Sequence, residues 1–296
     1  MSILLTGATG YIGTSVLPRL IEEGHSVTAL VRDAAKAAVV EAAGATALIG
    51  DATDSELVTS AARDSDGVIH IASGQDVDPG FVQAVLTGLA GSGKPFVHTG
   101  GIWTYGSNAD ITDDSPAAPP AITAWRGANE AVVLRAEGVR GIVVVPSIVY
   151  GHGAGLARVV VDAPRGDAAT PALHLIGDGE QHWATVHVDD LAALYVLALE
   201  QGDAGAVYLG ASGANPTVRE LGAAAASAAG VAGGVVAETV DETAARLGAG
   251  LAEALLLDQQ SRGSKARIDL GWEPNGPTLV EEITSGSYAP EADATR

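Results

Sequence analysis

The chain has 296 residues, room for one large domain or one and a half, and 47% of them are hydrophobic, with much of that share Ala and Val rather than aromatic. Cysteine is absent, which removes disulfides, thiolate metal sites and thiol nucleophiles, and 36 acids against 16 bases leave a formal charge of −20 that repels a nucleic-acid backbone. No apolar run reaches the roughly 18–20 residues of a membrane span, and the start MSILLTG lacks the basic opening and long apolar middle of a signal peptide, so a cytoplasmic protein without membrane or nucleic-acid partners is expected.

Short β-rich runs alternate with helical stretches from the first residue. Strands are predicted at 2–6, 25–31, 45–49, 66–71, 94–99 and 141–146. The stretches between them are long enough for crossover helices, so the strands are expected to be parallel, buried on both faces and doubly wound: an α/β fold. A further helix opens around ITAWRGANEAVVL (122–134), where spacing puts Trp125 and Asn129 on an inward face with Val132, Val133 and Ala136, and turns Arg126, Glu130 and Glu137 elsewhere. After Gly151 the pattern loosens, then residues 183–195 read as a strand and a helix, with Asp189 or Asp190 placed to cap that helix. Residues 1–165, completed by 183–210, are read as the nucleotide-binding domain, and 166–182 with 211–296 as a smaller substrate-binding subdomain, including one possible strand in GGVVAE.

The strongest local signal is TGATGYIG, Thr6–Gly13, which follows a predicted strand and opens a predicted helix. Gly7 permits a tight turn, Gly10 lets the backbone approach a pyrophosphate, and Gly13 lets helix pack on strand, with the phosphates at the positive end of the helix. A purely structural turn is the competing reading. In this setting the chain resembles the short-chain dehydrogenase/reductase superfamily, in its extended or atypical branch of NAD-dependent epimerases and dehydratases. The motifs that carry the resemblance run nearly the whole length: TGATGYIG, GDATD (50–54), HIASG (70–74), SIVYG (147–151), WATVHVDDLAALY (183–195) and SKARIDLGWEP (264–274).

The resemblance implies a Rossmann sheet with a smaller C-terminal substrate-binding subdomain, and a nicotinamide cofactor held by Gly7, Thr9, Gly10, Tyr11, Ile12 and Gly13. It also implies Asp51 and Ala52 beside the adenine, Ala72 and Ser73 beside ribose and pyrophosphate, and Pro146 to Val149, with Ile148 among them, at the nicotinamide. His187 and Asp190 are expected to fix a loop and a helix start. The second strand ends LVRDAAK, which puts Arg32 where a 2′-phosphate would be paired and Lys36 one turn further; this favours NADP(H), with NAD(H) left open if Asp33 instead takes the ribose hydroxyls.

The same family implies a Tyr-x-x-x-Lys pair, and this chain has none: of its six tyrosines and three lysines, no two stand at that spacing. Trp125 and Asn129 occupy the place of the pair, and Gly101 the place of the family's hydroxyl residue. Asn129 can still bond ribose hydroxyls and Trp125 can wall a pocket, or both can serve as core. Tyr105, Thr99 and His182 are the other candidates for the substrate site, with Tyr105 as first choice of proton donor. The reading is an NADP(H)-dependent reductase that transfers hydride to a small organic carbonyl, imine or enone with a non-standard acid. No metal is expected, and a homodimer is left open. The alternatives are a non-catalytic NADP-sensing protein of the nitrogen-metabolite-repression regulator type, and a non-redox isomerase or lyase.

Overall fold

The structure is a computed structural model, and it describes residues 1–166 and 171–290; positions 167–170 and 291–296 of the smaller subdomain read from the sequence lie outside it. In chain order the elements are β1 (Ser2–Thr6), α1 (Gly13–Glu22), β2 (Ser26–Val31), α2 (Ala34–Ala42), β3 (Thr46–Ile49), α3 (Ser55–Asp64), β4 (Gly67–His70), α4 (Asp78–Gly88) and β5 (Pro95–Thr99). A 3-10 turn at Ile102–Tyr105 leads to β6 (Asn108–Ile111), α5 (Arg126–Leu134), β7 (Arg140–Pro146), β8 (Ile148–Gly151), β9 (Ala154–Gly155) and α6 (Arg158–Val161). Then come β10 (Leu173–His174), β11 (Thr185–His187), α7 (Val188–Gln201) and β12 (Val207–Gly210), followed by short helices and strands to Ser285.

Seven strands form one sheet in the order β12-β7-β5-β4-β1-β2-β3, and every neighbouring pair is parallel. The apolar runs explain this. In β4, β5 and β7 nearly every residue is buried, as strands covered by helices on both faces require. One core cluster lies under α1 and α7 and includes Leu5, Val16, Tyr195 and Leu199; another lies under α3, α4 and α5 and includes Val58, Phe81, Phe96 and Val133. A third gathers Ile148, Tyr150, Leu173, Leu221, Leu255 and Ile283 around the elements that follow β7. No described helix is long and apolar enough to cross a membrane.

The helix starts show how local chemistry sets the frame. Asp33 caps α2 and Asp54 caps α3, each carboxylate accepting a first-turn N–H. The cap of α7 is His187, whose Nδ1 faces the Asp189 amide at 3.3 Å, rather than either aspartate expected there. Asp190 instead accepts from the amides of Asn275 and Gly276 and so ties the C-terminal loop to α7. Strand order reverses between β1 and β4, so their carboxyl ends, Thr6 and His70, flank the crevice where doubly wound sheets place ligands.

Candidate dinucleotide cleft

The glycine turn sits at that crevice. Gly7 has φ +76°, and a Cβ on it would lie 2.9 Å from the Ala72 amide nitrogen. On Gly13 a Cβ would fall 1.9 Å from the Gly7 carbonyl oxygen, so the bare Cα is what lets α1 pack on the turn. Gly10 is different: a Cβ there would have only the Gly7 oxygen, at 3.2 Å, as a near protein neighbour. No side chain caps α1, which leaves the positive end of the helix open to an anion.

Around the turn lies a cleft of about 780 Å³. Its lining includes Gly7, Thr9, Gly10, Tyr11, Ile12, Arg32, Lys36, Asp51, Ala52, Ala72 and Ser73, so the structure brings together in one cavity eleven residues that the sequence places at the cofactor. At one end Asp33 Oδ1 accepts the Lys36 amide at 2.9 Å, which occupies that carboxylate as a helix cap. Arg32 and Lys36 are exposed in the cleft and make no ion pair among the described residues. Asp51 is turned to its own loop, where Oδ1 accepts from the Thr53 amide and hydroxyl, and these bonds hold its carboxyl below the usual range. The Tyr11 hydroxyl donates to the Gly151 carbonyl oxygen at 2.9 Å, and burial, then Tyr288, pushes its pKa far up, so it acts as a strut.

At the Ser73 end the structure corrects the reading of α5. The inward face carries Arg126, Asn129, Glu130 and Val133; Val132 is 46% exposed. Trp125 precedes the helix, half-buried, and its indole N–H donates to the Ile122 carbonyl at 3.1 Å. Its ring stacks under the Arg126 guanidinium, 4.5 Å from Cζ to centroid. Arg126 Nη1 donates to Ser73 Oγ at 2.8 Å and to the carbonyls of Thr99 and Gly100 at 3.3 and 3.4 Å. Asn129 is buried on the same face, but its amide makes no side-chain hydrogen bond among the described residues. Helical spacing with charges assumed outside mistakes the face by one residue, because here the charges point in.

Behind Ser73 runs a buried network. Asp78 accepts from Ser73 Oγ at 2.7 Å and the Gly74 amide at 2.7 Å, and lies 3.2 Å from His70 Nε2, whose Nδ1 meets Thr6 Oγ1 at 2.7 Å. Burial works to raise the Asp78 carboxyl, but the bonds from His70, Gly74 and Ser73 outweigh it and hold it low. His98 stacks beside His70, with both ring nitrogens buried and without a hydrogen bond, and with Nε2 3.6 Å from Asp78 Oδ2. The donor atoms of His70, Asp78 and His98 lie within 4.8 Å of one another. The Asp78 carboxylate already accepts bonds, and we read the group as the support that links the glycine turn to Arg126.

Several sequence candidates fall elsewhere. Thr99 is committed to the fold: its Oγ1 donates to the His70 carbonyl and pairs with the Tyr195 hydroxyl, both at 2.7 Å. Tyr105 ends the 3-10 turn against the second core cluster, and burial, then Glu130, Asp113 and Asp114, pushes its pKa well up, so the phenol resists giving up a proton. Ile148 turns its side chain into the third cluster, and Pro146 is buried at the end of β7. Between them Ser147 Oγ is buried without a hydrogen-bond partner, in the stretch where the resemblance expects the nicotinamide. His182 pairs with Asp258 at 2.9 Å. Sequence reasoning misses Arg126 and Glu130 as inward groups of α5, and the His70–Asp78–His98 cluster; for the cluster the sequence signal is the two histidines inside β4 and β5, which are otherwise apolar runs.

A doubly wound parallel sheet with an open glycine turn at its switch point defines a dinucleotide-binding α/β protein, and the residues present fit such a group: the bare Gly10 and the uncapped α1 both border the cleft. The model of the NAD dependent epimerase/dehydratase family matches residues 3–209, and the chain belongs to that family. It is 30% identical to the uncharacterised protein YLL056C of Saccharomyces cerevisiae over 96% of this chain and 98% of that one. A 3-diazoavenalumate denitrifying reductase of Streptomyces is 26% identical over 94% and 97%. Among solved structures, UDP-glucose 4-epimerase of Thermus thermophilus in complex with NAD superposes with TM-score 0.76 at 22% identity, covering 98% of both chains. The human epimerase family protein SDR39U1 with NADPH gives TM-score 0.74 at 20% identity, covering 97% and 99%.

Proposed function

We propose that this protein is an NADP(H)-dependent reductase that delivers hydride to a small organic carbonyl, imine or enone. The observation that carries the cofactor preference is the division of labour at the end of β2: Asp33 is spent on capping α2, while Arg32 and Lys36 stand free in the cleft. A guanidinium and an ammonium there suit a 2′-phosphate, and a chain of charge −20 offers few other sites that concentrate positive potential. Relatives named as reductases and the NADPH carried by the human structural neighbour agree with this reading.

The bound reduced nicotinamide would supply the hydride. The chain supplies the rest: α1 and the glycine turn hold the pyrophosphate, and Arg32 and Lys36 the adenosine phosphate. Incubating the purified protein with NADPH and panels of ketones, imines and enones, and following the absorbance of the reduced nicotinamide, tests the activity. Cofactor binding without turnover of any acceptor would favour the sensing reading, which the missing Tyr-x-x-x-Lys pair supports; bound NADP(H) with a rearranged or cleaved product would favour an isomerase or lyase.

A further inference from the structure

Arg126 has an unusual balance of partners. Its guanidinium is partly buried, and desolvation works against its charge, yet among the described residues no carboxylate lies within ion-pair distance of it. Nη1 is held by Ser73 Oγ and two main-chain carbonyls, all neutral, and the face of the group is pressed on Trp125. Nε and Nη2 find no acceptor among the described residues. Asp78 is hydrogen-bonded to it only through Ser73, and the charges of Asp78 and Glu130 favour the guanidinium's charged form against desolvation. A desolvated cation whose hydrogen-bond partners are all neutral, with two donor positions free, is suited to receive a negative charge that arrives from outside the protein.

Glu130 stands one helical turn deeper on the same face. Its Oε1 is buried with no hydrogen-bond partner, and a Cβ on Gly100 would lie 2.9 Å from it. Burial raises its pKa, against the pull of Arg126. A buried carboxyl oxygen that accepts no bond and makes no ion pair is costly to charge, and Asp78 acts in the same sense as burial, so this side chain is suited to carry a proton. Gly100 and Gly101 carry no side chains between these two groups and the carboxyl edge of β5; a Cβ on Gly101 would stand 3.8 Å from Arg126 Nε, so even the missing hydroxyl residue leaves space that the guanidinium faces.

We propose that Arg126 and Glu130 are the working pair of the active site, Arg126 stabilising the oxyanion of a carbonyl acceptor and Glu130 giving it its proton. This rests on the reductase reading above. The acceptor carbon gains hydride from the reduced dinucleotide, the carbonyl π pair moves on to oxygen, and the Arg126 N–H groups meet the resulting charge. The Glu130 O–H bond then breaks, its proton forms the O–H bond of the alcohol, and the carboxylate left behind is reprotonated from solvent. Trp125 and the Asp78–Ser73 arm are positioning groups that hold the guanidinium in place. The substrate class follows: a carbonyl compound that is itself uncharged where it meets Arg126, so that the charge appears only as hydride adds.

The test has two independent readouts. Infrared difference spectra of wild type against Glu130→Gln at pH 7 report whether Glu130 is protonated, with or without cofactor; the expected result is a carboxylic-acid C=O stretch present in wild type and missing from the variant. Single-turnover oxidation of bound NADPH by 9,10-phenanthrenequinone reports the reaction. Glu130→Gln is expected to slow it about 100-fold, as loss of a general acid does, and Arg126→Met by a similar factor, while NADPH affinity by calorimetry stays within about twofold. Glu130→Asp should recover part of the rate. An ionised Glu130 at pH 7, or a Glu130→Gln variant as fast as wild type, overturns the inference. A wild type that fails to bind NADPH overturns the reductase reading instead, and the infrared signal still decides the state of Glu130.

Discussion

Asp33 Oδ1 accepts the backbone N–H of Lys36 at 2.9 Å, and this one bond decides which of two neighbouring charges is free for a ligand. With the carboxylate held at the start of α2, Arg32 faces the cleft without a competing acid on its own turn. Arg32→Ala is therefore expected to weaken NADPH by roughly 1.5–3 kcal/mol, the worth of a hydrogen bond between charged groups, and to leave NADH nearly unchanged. Calorimetric titration with both cofactors checks this; equal losses would make Arg32 a structural residue.

The glycines of the turn separate binding from folding. Gly10 has ordinary negative φ and almost no protein atoms near its missing Cβ, whereas the Cβ of an alanine at 13 would strike the Gly7 carbonyl at 1.9 Å. Gly10→Val should keep the far-UV spectrum and melting temperature while NADPH affinity collapses. Gly13→Ala should destabilise the fold by roughly 1–3 kcal/mol or more, as overpacking does, before cofactor is considered. If both variants melt like wild type and bind NADPH normally, the turn does not hold the pyrophosphate.

His98 predicts an acid-sensitive fold. Burial, then the neighbouring His70, lowers its pKa from 6.5 to about 3, with Arg126 acting in the same sense and Asp78 against it. The unfolded chain protonates this imidazole where the folded chain does not, so the contribution is complete above pH 6.5 and is lost as pH falls toward 3, by up to about 1.4 kcal/mol per pH unit. Denaturant midpoints measured across that window should fall with pH, and His98→Leu should flatten the slope by the equivalent of one proton. A variant with the wild-type slope would contradict the assignment.

Trp125 should matter through Arg126. Trp125→Ala removes the ring under the guanidinium and is expected to cost about 0.5–2 kcal/mol of stability, with the acceptor KM rising more than NADPH affinity changes. Unaltered stability and kinetics would show that the stack is incidental.

The strands of the sheet are legible from sequence to within about a residue from Ser2 to Pro146, because parallel strands covered on both faces are simply apolar runs between turns. The glycine turn is equally legible, since each glycine has its own steric reason. The seventh strand, Val207–Gly210, escapes a sequence reading: it is short and lacks flanking periodicity. The inward face of α5 is misjudged for a deeper reason. Amphipathic patterning places charges outside, and Arg126 and Glu130 break that rule where the helix meets the cleft, which is where local rules are expected to give way to function. Thr99 sits at the end of β5 and Ile148 where the resemblance suggests, but Thr99 spends its hydroxyl on the His70 carbonyl and Tyr195 and Ile148 its side chain on the core, which sequence spacing alone does not reveal.

The measurement that tests the central claim most directly is a calorimetric titration of the purified wild-type protein with NADPH and, separately, NADH. Binding of one NADPH per chain, with NADH at least about tenfold weaker as one lost charge-assisted contact requires, is the predicted result. No heat of binding with either dinucleotide, or tighter binding of NADH, would contradict it.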